Sequence, residues 1–394
     1  MKIFRPEFFG GVLYDSQTLR FRLVQELNEE PDVVLPPPSK VIRKDILSAP
    51  VRAYFELTRR CNLACKHCFV SSSPKAPIGE STSNLIRIID DLADNRVIDV
   101  RFTGGELTTR PDWFEVLKHA KNRGLQISVN TNGIYLNLKD VMAKLTDLKV
   151  NQVTISIDGA EINHDFMRGK GSFRKAITSL IALSKIGIPV RTNTVLTRRN
   201  AKDVPQILET VHPYVLEANF FHMRPVGRGV NQNHLSLSYE EHYHSAKETL
   251  ALRKKYPKLS IMHFEQSYRE RSVSKKDTSK LDDNFSHGNT TINIDCFGGV
   301  WPNGYNTYQD NRQLLGNLVT ERLSDIWNFS EKLDGLRAWY KAIFSRCQRC
   351  PEYLSQCPGL SPEMRIAEIN QNVNNNFCIN TDEPVPKLYG NFVK

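Results

Sequence analysis

Three cysteines, Cys61, Cys65 and Cys68, stand close together directly after an apolar run that ends at Leu57. Thiolates at this C-x3-C-x2-C spacing can hold an iron–sulfur cube or a zinc ion. Zinc would need a fourth Cys or His nearby, and His67, between two of the cysteines, is poorly placed to close the same site. A cube held by only three cysteines leaves one iron open to a small molecule. The spacing therefore favours chemistry at an iron–sulfur cluster, with zinc as the alternative.

Polar residues follow other apolar runs in a way that would suit a ligand. In the segment Gly104–Glu106 two glycines allow a close approach of the backbone, and the carboxylate can accept a hydrogen bond from an ammonium group. Ser156 and Asp158 end another run, and Arg168 follows. Arginine binds carboxylates with a fixed pair of donors. The alternative for Ser156 and Asp158 is a structural capping role.

Strand-like and helix-like segments alternate between residue 51 and about residue 222. Such alternation predicts a parallel sheet with right-handed crossovers, and six units form an incomplete βα barrel whose active site lies at the carboxyl ends of the strands. The predicted strands are Val51–Leu57, Val97–Thr103, Leu125–Asn130, Val153–Ile157, Pro189–Leu196 and Leu216–Phe221. The predicted helices include Ser83–Asp94, Asp112–Arg123, Phe173–Ile186 and Asp203–His212.

The cysteine motif and the Gly104–Glu106 segment resemble the signature of the radical S-adenosylmethionine (radical SAM) enzymes. This resemblance implies a partial (β/α)6 barrel of the TIM type in an α/β chain. It also implies that Cys61, Cys65 and Cys68 bind a 4Fe–4S cluster. The open iron would chelate S-adenosylmethionine, whose cleavage releases a 5′-deoxyadenosyl radical.

The same resemblance implies a set of cofactor contacts. Glu106 would bind the methionyl amino group, Ser156 and Arg168 its carboxylate, and Asn193 and the backbone at Phe69 the adenosine. Asp158 is interpreted as structural. The predicted cofactor-binding residues are Phe69, Gly104, Gly105, Glu106, Ser156, Arg168 and Asn193. No residue is assigned to the hydrogen transfer itself.

A second group of cysteines lies near the carboxyl terminus. Cys347, Cys350, Cys357 and Cys378 could ligate a complete cube or a zinc ion. Their order resembles the auxiliary-cluster region called SPASM in radical enzymes that modify peptides. A full region carries seven cysteines, and Asn303 stands here where one normally follows Pro302. The resemblance therefore implies one auxiliary 4Fe–4S cluster. Cys296 is left over and is expected to be a buried free cysteine.

Four regions are expected along the chain. Residues 1–45 form a small β-hairpin segment with a proline linker, either a recognition element for a leader peptide or an apolar plug for the barrel. Residues 46–230 form the barrel core. Residues 231–285 form a helical, charged connection, and residues 286–394 form the iron–sulfur domain.

Composition is compatible with a cytoplasmic enzyme. The chain has 394 residues, a net charge of +10 and cysteines gathered in two clusters, as for metal binding in a reducing compartment. Its basic residues are scattered and no apolar run is long enough to cross a membrane, so neither nucleic acid nor a bilayer is an expected partner.

Three functions remain open from the sequence. The resemblance implies hydrogen abstraction from a ribosomally made precursor peptide, leading to a cross-link or a cyclisation, with a flavodoxin or a ferredoxin as electron donor. The alternative within the same family is the synthesis of haem or another tetrapyrrole. A non-catalytic metal scaffold is disfavoured, because it would not need the Gly104–Glu106 and Arg168 constellation.

Overall fold

The protein is described by a computed structural model over residues 1–36, 42–263, 288–304 and 313–338. These ranges contain a small antiparallel sheet and a large, mainly parallel sheet flanked by helices. The cysteines Cys347, Cys350, Cys357 and Cys378 lie outside the described residues. So does most of the proline linker that begins at Pro36.

The elements are numbered in chain order. The strands are β1 Lys2–Glu7, β2 Gly10–Asp15, β3 Arg20–Val24, β4 Val33–Val34, β5 Arg52–Glu56, β6 Asp99–Thr103, β7 Gln126–Thr131, β8 Gln152–Ser156, β9 Val190–Leu196, β10 Glu217–His222, β11 Ser260–His263, β12 Thr291–Ile294, β13 Gly299–Trp301 and β14 Gly316–Asn317. The helices are α1 Thr82–Asp94, α2 Trp113–Asn122, α3 Leu138–Asp147, α4 Glu161–Arg168, α5 Ser172–Lys185, α6 Val204–Val211, α7 Tyr239–Ala251 and α8 Leu323–Phe329.

The large sheet confirms the predicted partial barrel. Strands β5 to β10 pair with their sequence neighbours in parallel, and each predicted strand agrees with an observed one to within two residues at either end. Along each strand, every second residue faces away from the barrel interior. These residues, such as Phe55 and Phe102, have no exposed surface and pack in the apolar core. This period of two places one side of each strand against the helices and the other towards the barrel interior.

The sheet extends beyond the six predicted strands at both edges. β11 adds in parallel to β10, and β12 adds in parallel to β5, followed by the antiparallel strands β13 and β14. β11 and β12 have four residues each, so their sequences contain too little periodicity to reveal them. The chain therefore returns from residue 288 onward to complete the barrel edge beside the strand that precedes the cysteines.

The N-terminal segment forms its own sheet in the order β3-β2-β1-β4. It packs against the amino ends of the barrel strands. Arg5 is fully buried there and donates hydrogen bonds to the carbonyls of Ala49 at 2.8 Å and Pro50 at 2.9 Å. Arg52 Nη2 donates to the Leu19 carbonyl at 2.6 Å. These contacts close the base of the barrel, at the end opposite to the cysteine loop.

No helix in the described ranges has the length and apolar character needed to cross a bilayer.

Candidate active site

The cysteine loop begins where β5 ends, at the carboxyl edge of the barrel. Cys61 and Cys65 are buried and Cys68 is half-buried. Two backbone N–H groups point at sulfur: Leu63 N lies 3.4 Å from Cys61 Sγ, and Ser72 N lies 3.3 Å from Cys68 Sγ. Such N–H donors stabilise thiolates and tune the potential of a cluster that the thiolates hold.

The three thiols fit a group that carries positive charge. Burial, together with the nearby Glu106, Cys65 and Cys68, raises the pKa of Cys61 to about 12. Burial also raises the pKa of Cys65. Three thiolates so close together are unfavourable without a cation, and iron ions would supply it. Among the described residues, no three His, Cys, Asp or Glu side chains are close enough together to bind one and the same metal ion. A cube does not require this, because each of its three thiolates binds a different iron.

Gly104 and Gly105 bring a second loop against the cysteine loop. Gly104 has φ of 153°, and a Cβ there would meet the Thr58 carbonyl oxygen at 2.6 Å. A Cβ on Gly105 would meet the Arg60 carbonyl oxygen at 2.3 Å. Only glycine therefore allows the loop after β6 to approach the backbone that precedes Cys61.

Glu106 is fully buried behind these glycines. One carboxylate oxygen accepts hydrogen bonds from Thr131 Oγ1 at 2.8 Å and from Asn132 N at 2.9 Å, and the other accepts one from Thr108 Oγ1 at 2.9 Å. Burial raises the pKa of Glu106, and no cation pairs with it among the described residues. An ammonium group brought by a ligand would compensate this buried charge. Contact with the methionyl amino group stays a prediction.

Arg168 is held by Asp158. Its Nε donates to Asp158 Oδ2 at 2.5 Å, and His67 Nε2 lies 3.1 Å from the same oxygen. Burial by itself would raise the pKa of Asp158, but Arg168 and His67 hold it well below its usual range. The terminal nitrogens of Arg168 make no hydrogen bond to any described residue, so the fork can still take a carboxylate. These contacts agree with the structural role predicted for Asp158, which stays a prediction.

Ser156 and Asn193 come together in the structure. They are registered partners on β8 and β9, and both are half-buried on the interior side of the barrel. Phe69, just after the cysteines, is 39% exposed. The structure thus places the predicted cofactor residues around the carboxyl edge of the barrel, although their contacts with a cofactor stay predictions.

Arg228 is a residue that sequence reasoning missed. It follows β10, and its Nε and Nη2 donate to the carbonyls of Cys65 at 2.8 Å and Ser72 at 2.7 Å, while its backbone N donates to the Cys68 carbonyl at 3.0 Å. Its charge lowers the pKa of Cys65, although burial outweighs this effect. The flanking Gly227 has φ of 57° and lies against the Phe69 carbonyl. The sequence feature that could have pointed to Arg228 is its position between two glycines, after the last core strand.

Asn132 was missed as well. Its Nδ2 donates to Asn62 Oδ1 at 2.7 Å and lies 3.7 Å from Cys61 Sγ. Because Glu106 holds its backbone N–H, the turn after β7 is fixed beneath the cysteine loop. The sequence Thr131-Asn132-Gly133 at a strand end could have marked it as a turn that approaches a ligand.

Cys296 is not one of the three motif cysteines, and its thiol lies near Glu56 and Arg59, in the segment that leads into the cysteine loop. It has no exposed surface, its carbonyl accepts from Glu80 N at 2.8 Å, and burial raises the pKa of its thiol to about 12. A Cβ on Gly79 would meet its carbonyl oxygen at 2.5 Å. These features agree with a buried structural cysteine.

Comparison with known proteins gives the family of the barrel. Residues 55–211 match the family described as the Radical SAM superfamily. The AdoMet-dependent heme synthase of Methanosarcina barkeri is 29% identical over 79% of this chain and 91% of its own length. The Mycofactocin maturase MftC of Mycobacterium tuberculosis is 36% identical, but the match spans only 47% of this chain and 48% of the maturase.

A solved structure shares the fold over nearly the whole chain. Streptococcus suis SuiB bound to the precursor peptide SuiA superposes with a TM-score of 0.71, covering 92% of this chain and 95% of SuiB. At 15% identity this likeness shows the fold alone. A partial barrel with appended elements on both sides is therefore common to the two chains.

Proposed function

Because this chain is a member of the radical SAM superfamily, we propose that it modifies a ribosomally made precursor peptide by hydrogen abstraction. The observation that carries the radical chemistry is the set of three neighbouring thiols at the open edge of the barrel, next to Gly104 and Gly105. When bound, the 4Fe–4S cluster supplies the electron that cleaves S-adenosylmethionine into methionine and a 5′-deoxyadenosyl radical. A cross-link or a cyclisation is the expected product.

The residues of this chain bind and orient the cofactor. Cys61, Cys65 and Cys68 hold the cluster, and Arg228 keeps their loop in place through its carbonyls. Arg168, steadied by Asp158, offers its fork to the methionyl carboxylate. The full set of proposed cofactor contacts is Phe69, Gly104, Gly105, Glu106, Ser156, Arg168 and Asn193.

The relatives named as maturases support the peptide as substrate. MftC is 36% identical over 188 residues, and the Bacillus subtilis bacteriocin biosynthesis protein AlbA is 32% identical over 196 residues. The N-terminal sheet is a candidate recognition element for a leader peptide, although its contacts at the base of the barrel equally serve a plug. A flavodoxin or a ferredoxin is the proposed electron donor.

A second function, the synthesis of haem or a related tetrapyrrole, is favoured by a different observation. The match to the heme synthase of Methanosarcina barkeri covers 91% of that protein's length, whereas the match to the maturase covers only 48% of the maturase. The Fe-coproporphyrin III synthase of the same organism is 28% identical over 77% of this chain. Both matches are longer than the barrel core, so they include residues outside it.

One incubation separates the two functions. The anaerobically reconstituted protein is supplied with S-adenosylmethionine, a reductant and either the peptide encoded beside its gene or iron-coproporphyrin III. We expect 5′-deoxyadenosine in stoichiometric yield and a loss of two hydrogens from the peptide by mass spectrometry. Decarboxylation of the porphyrin with an unchanged peptide would establish the alternative. Absence of 5′-deoxyadenosine from every mixture would contradict radical chemistry.

We further propose that Cys347, Cys350, Cys357 and Cys378 bind one auxiliary 4Fe–4S cluster. Four thiolates leave no open iron, so such a cluster would transfer electrons or shape the site. Replacing these four cysteines with alanine should halve the iron content and sharply reduce peptide modification. Cys296→Ala is the matched control and should leave the iron content unchanged. A loss of iron in that control, or stoichiometric zinc at the four cysteines, would contradict a single auxiliary cluster.

A further inference from the structure

The interior of the barrel is polar in its lower half, which is the half nearest to the amino ends of the strands. Interior positions on successive strands carry Tyr54, Arg101, Ser128, Thr154 and Arg191, whereas the alternate positions are apolar and buried under helices. Tyr54 and Arg101 are partly exposed in the middle of their strands, and Arg191 is partly exposed at the second residue of β9. Since their neighbours along each strand face the helices, this exposure is towards the lumen of the barrel.

The arginines of this lumen outnumber its carboxylates among the described residues. Arg52 Nε donates to Asp99 at 2.5 Å, and Arg101 Nε lies 3.6 Å from the same carboxylate. Arg191 pairs with Glu217, which is also within 3.4 Å of Arg20 on the N-terminal sheet. Each carboxylate is thus shared by two guanidinium groups.

Glu56, at the carboxyl end of β5, does not offset the positive charge at the base of the barrel. It lies two residues nearer than Tyr54 to the carboxyl edge of the barrel, which we call the mouth, and its charge acts on Cys296. The excess of positive charge is therefore located around Arg101 and Arg191, in the lower half of the lumen.

Arg101 is the least satisfied of these arginines. Beyond its distant ion pair with Asp99, its only other contact among the described residues is with the ring of Tyr54, whose centroid lies 5.6 Å from the guanidinium carbon. Its Nε is buried without a hydrogen-bond acceptor. A buried guanidinium normally finds such acceptors, because leaving its donors unpaired is costly.

The ionisation of neighbouring groups agrees with an excess of positive charge. Burial, together with the like charges of Arg101 and Arg52, lowers the pKa of Arg191 to about 9. Burial by itself would raise the pKa of Tyr54, yet the charges of Arg101 and Arg52 lower it overall. Arg191 on β9 therefore senses charges on β5 and β6 across the lumen, as groups that face one cavity do.

We propose that the lumen around Arg101 and Arg191 binds a carboxylate of the substrate, which anchors it beneath the cofactor. An anion at this point would give Arg101 the acceptor that it lacks and would balance the excess of guanidinium groups over carboxylates. Guanidinium groups bind carboxylates through paired, charge-assisted hydrogen bonds. The inference rests on the proposed function and adds the chemical group by which its substrate is held.

The position suits hydrogen abstraction. Arg101 precedes Thr103 by two residues on β6, and Arg191 precedes Asn193 by two residues on β9. At about 3.3 Å per residue, the arginines lie roughly 7 Å below the layer that leads into the proposed cofactor contacts. A carboxylate held there would present the atoms a few bonds away from it to the radical.

Two sources supply such a carboxylate: an acidic residue of a peptide, and the propionate of a tetrapyrrole. Calorimetry on the reconstituted enzyme with bound S-adenosylmethionine separates them by using matched probes. The first pair is N-acetylglutamate N-methylamide and its glutamine counterpart, and the second is iron-coproporphyrin III and its tetramethyl ester. We expect the carboxylate member of one pair to bind at least tenfold more tightly than its neutral partner.

Variants then locate the site. Arg101→Gln should reduce that preference to less than threefold, and Arg101→Lys should retain part of it because the charge remains. Arg22→Gln, on the same N-terminal sheet but paired with Glu29 instead of a lumen carboxylate, is the matched control and should keep the full preference. Should Arg101→Gln fail to fold, as judged by its melting temperature, the lysine variant and the probe pairs on the unaltered enzyme still decide.

Equal binding of both members of both pairs to the unaltered enzyme would overturn the proposal. So would an undiminished preference in a folded Arg101→Gln variant. These failures are distinct from failure of the proposed function, because release of 5′-deoxyadenosine by the unaltered enzyme is measured separately and calorimetry requires no turnover.

Discussion

The two ends of the barrel treat buried charge in opposite ways. At the carboxyl end, burial raises the pKa values of Cys61, Cys65 and Glu106, and no cation pairs with Glu106 among the described residues. At the amino end, Arg5 is equally buried, yet its donors are taken by Glu7 and three backbone carbonyls.

This difference in the pairing of buried groups indicates that the carboxyl end of the barrel binds ligands and the amino end closes the barrel. A fully hydrogen-bonded charge needs nothing further, whereas buried thiols and an unpaired carboxylate are stabilised when a cation arrives. The mouth is thus organised for ligands that the chain does not contain, and the base is organised to keep the N-terminal sheet in place. Each of the following experiments tests one side of this comparison.

The largest effect is expected at the mouth. Replacing Cys61, Cys65 and Cys68 with alanine should remove about four irons per chain, as for one cube, and abolish cleavage of S-adenosylmethionine. Iron analysis and 5′-deoxyadenosine release measure the two effects. Stoichiometric zinc without iron in the anaerobically purified protein would contradict the cluster at this edge.

A large effect on stability is expected at the base. Arg5→Met removes the cation that pairs with Glu7 and the donor to the carbonyls of Ala49 and Pro50, and breaking such a buried pair lowers the free energy of unfolding by about 3–5 kcal/mol. Urea unfolding measures the change. Arg22→Met, which removes an exposed ion pair from the same sheet, should change the free energy by less than about 0.5 kcal/mol. Equal effects of the two variants would show that the base does not depend on buried pairing.

A smaller effect is expected for the cofactor carboxylate site. Arg168→Ala should weaken binding of S-adenosylmethionine tenfold or more, since losing a charge-assisted bond costs about 1.5–3 kcal/mol. The iron content should stay the same, because the cysteines remain. Calorimetry on the reconstituted protein measures the affinity. Unchanged affinity would show that Arg168 serves only to pair with Asp158.

The smallest effect concerns His164, which underlies the mouth and accepts from Asp158 N at 3.0 Å. Burial lowers the pKa of His164 from 6.5 to about 4. Because the pKa of His164 is lower in the folded state than in the unfolded state, neutral His164 contributes its full stability above pH 6.5. This contribution is lost as the pH falls towards 4. Between pH 7 and pH 5 this loss amounts to about 1–2 kcal/mol. Melting curves should show a shallower acid loss for His164→Gln, and parallel curves would refute the assignment.

Much of the fold could be predicted because its signals are local. Each core strand is a run of five to seven residues with helix-like sequence between the runs, and the six strands from Arg52–Glu56 to Glu217–His222 were found in this way. The strands β11 and β12 were not found, because four-residue strands that join the edges of a sheet are stabilised by their neighbours.

Some residues of the candidate site could likewise be predicted from the sequence, and others could not. Cys61, Cys65 and Cys68 are recognised by their spacing, and the Gly104–Glu106 segment is recognised because it follows a strand. Arg228 could not be recognised, because its hydrogen-bond partners Cys65 and Ser72 precede it by 163 and 156 residues. Contacts at such separation leave no pattern within a single sequence.

The sequence by itself therefore determined the parallel barrel and predicted the ligand set for a cluster at its edge, since both depend on residues close together in the chain. The tertiary structure alone decided which charges are satisfied. It seated the N-terminal sheet at the base, paired Arg168 with Asp158, and left Arg101 facing the lumen without an acceptor for Nε. The physical reason is that burial and charge balance depend on which distant side chains meet, and closure of the barrel is what brings them together.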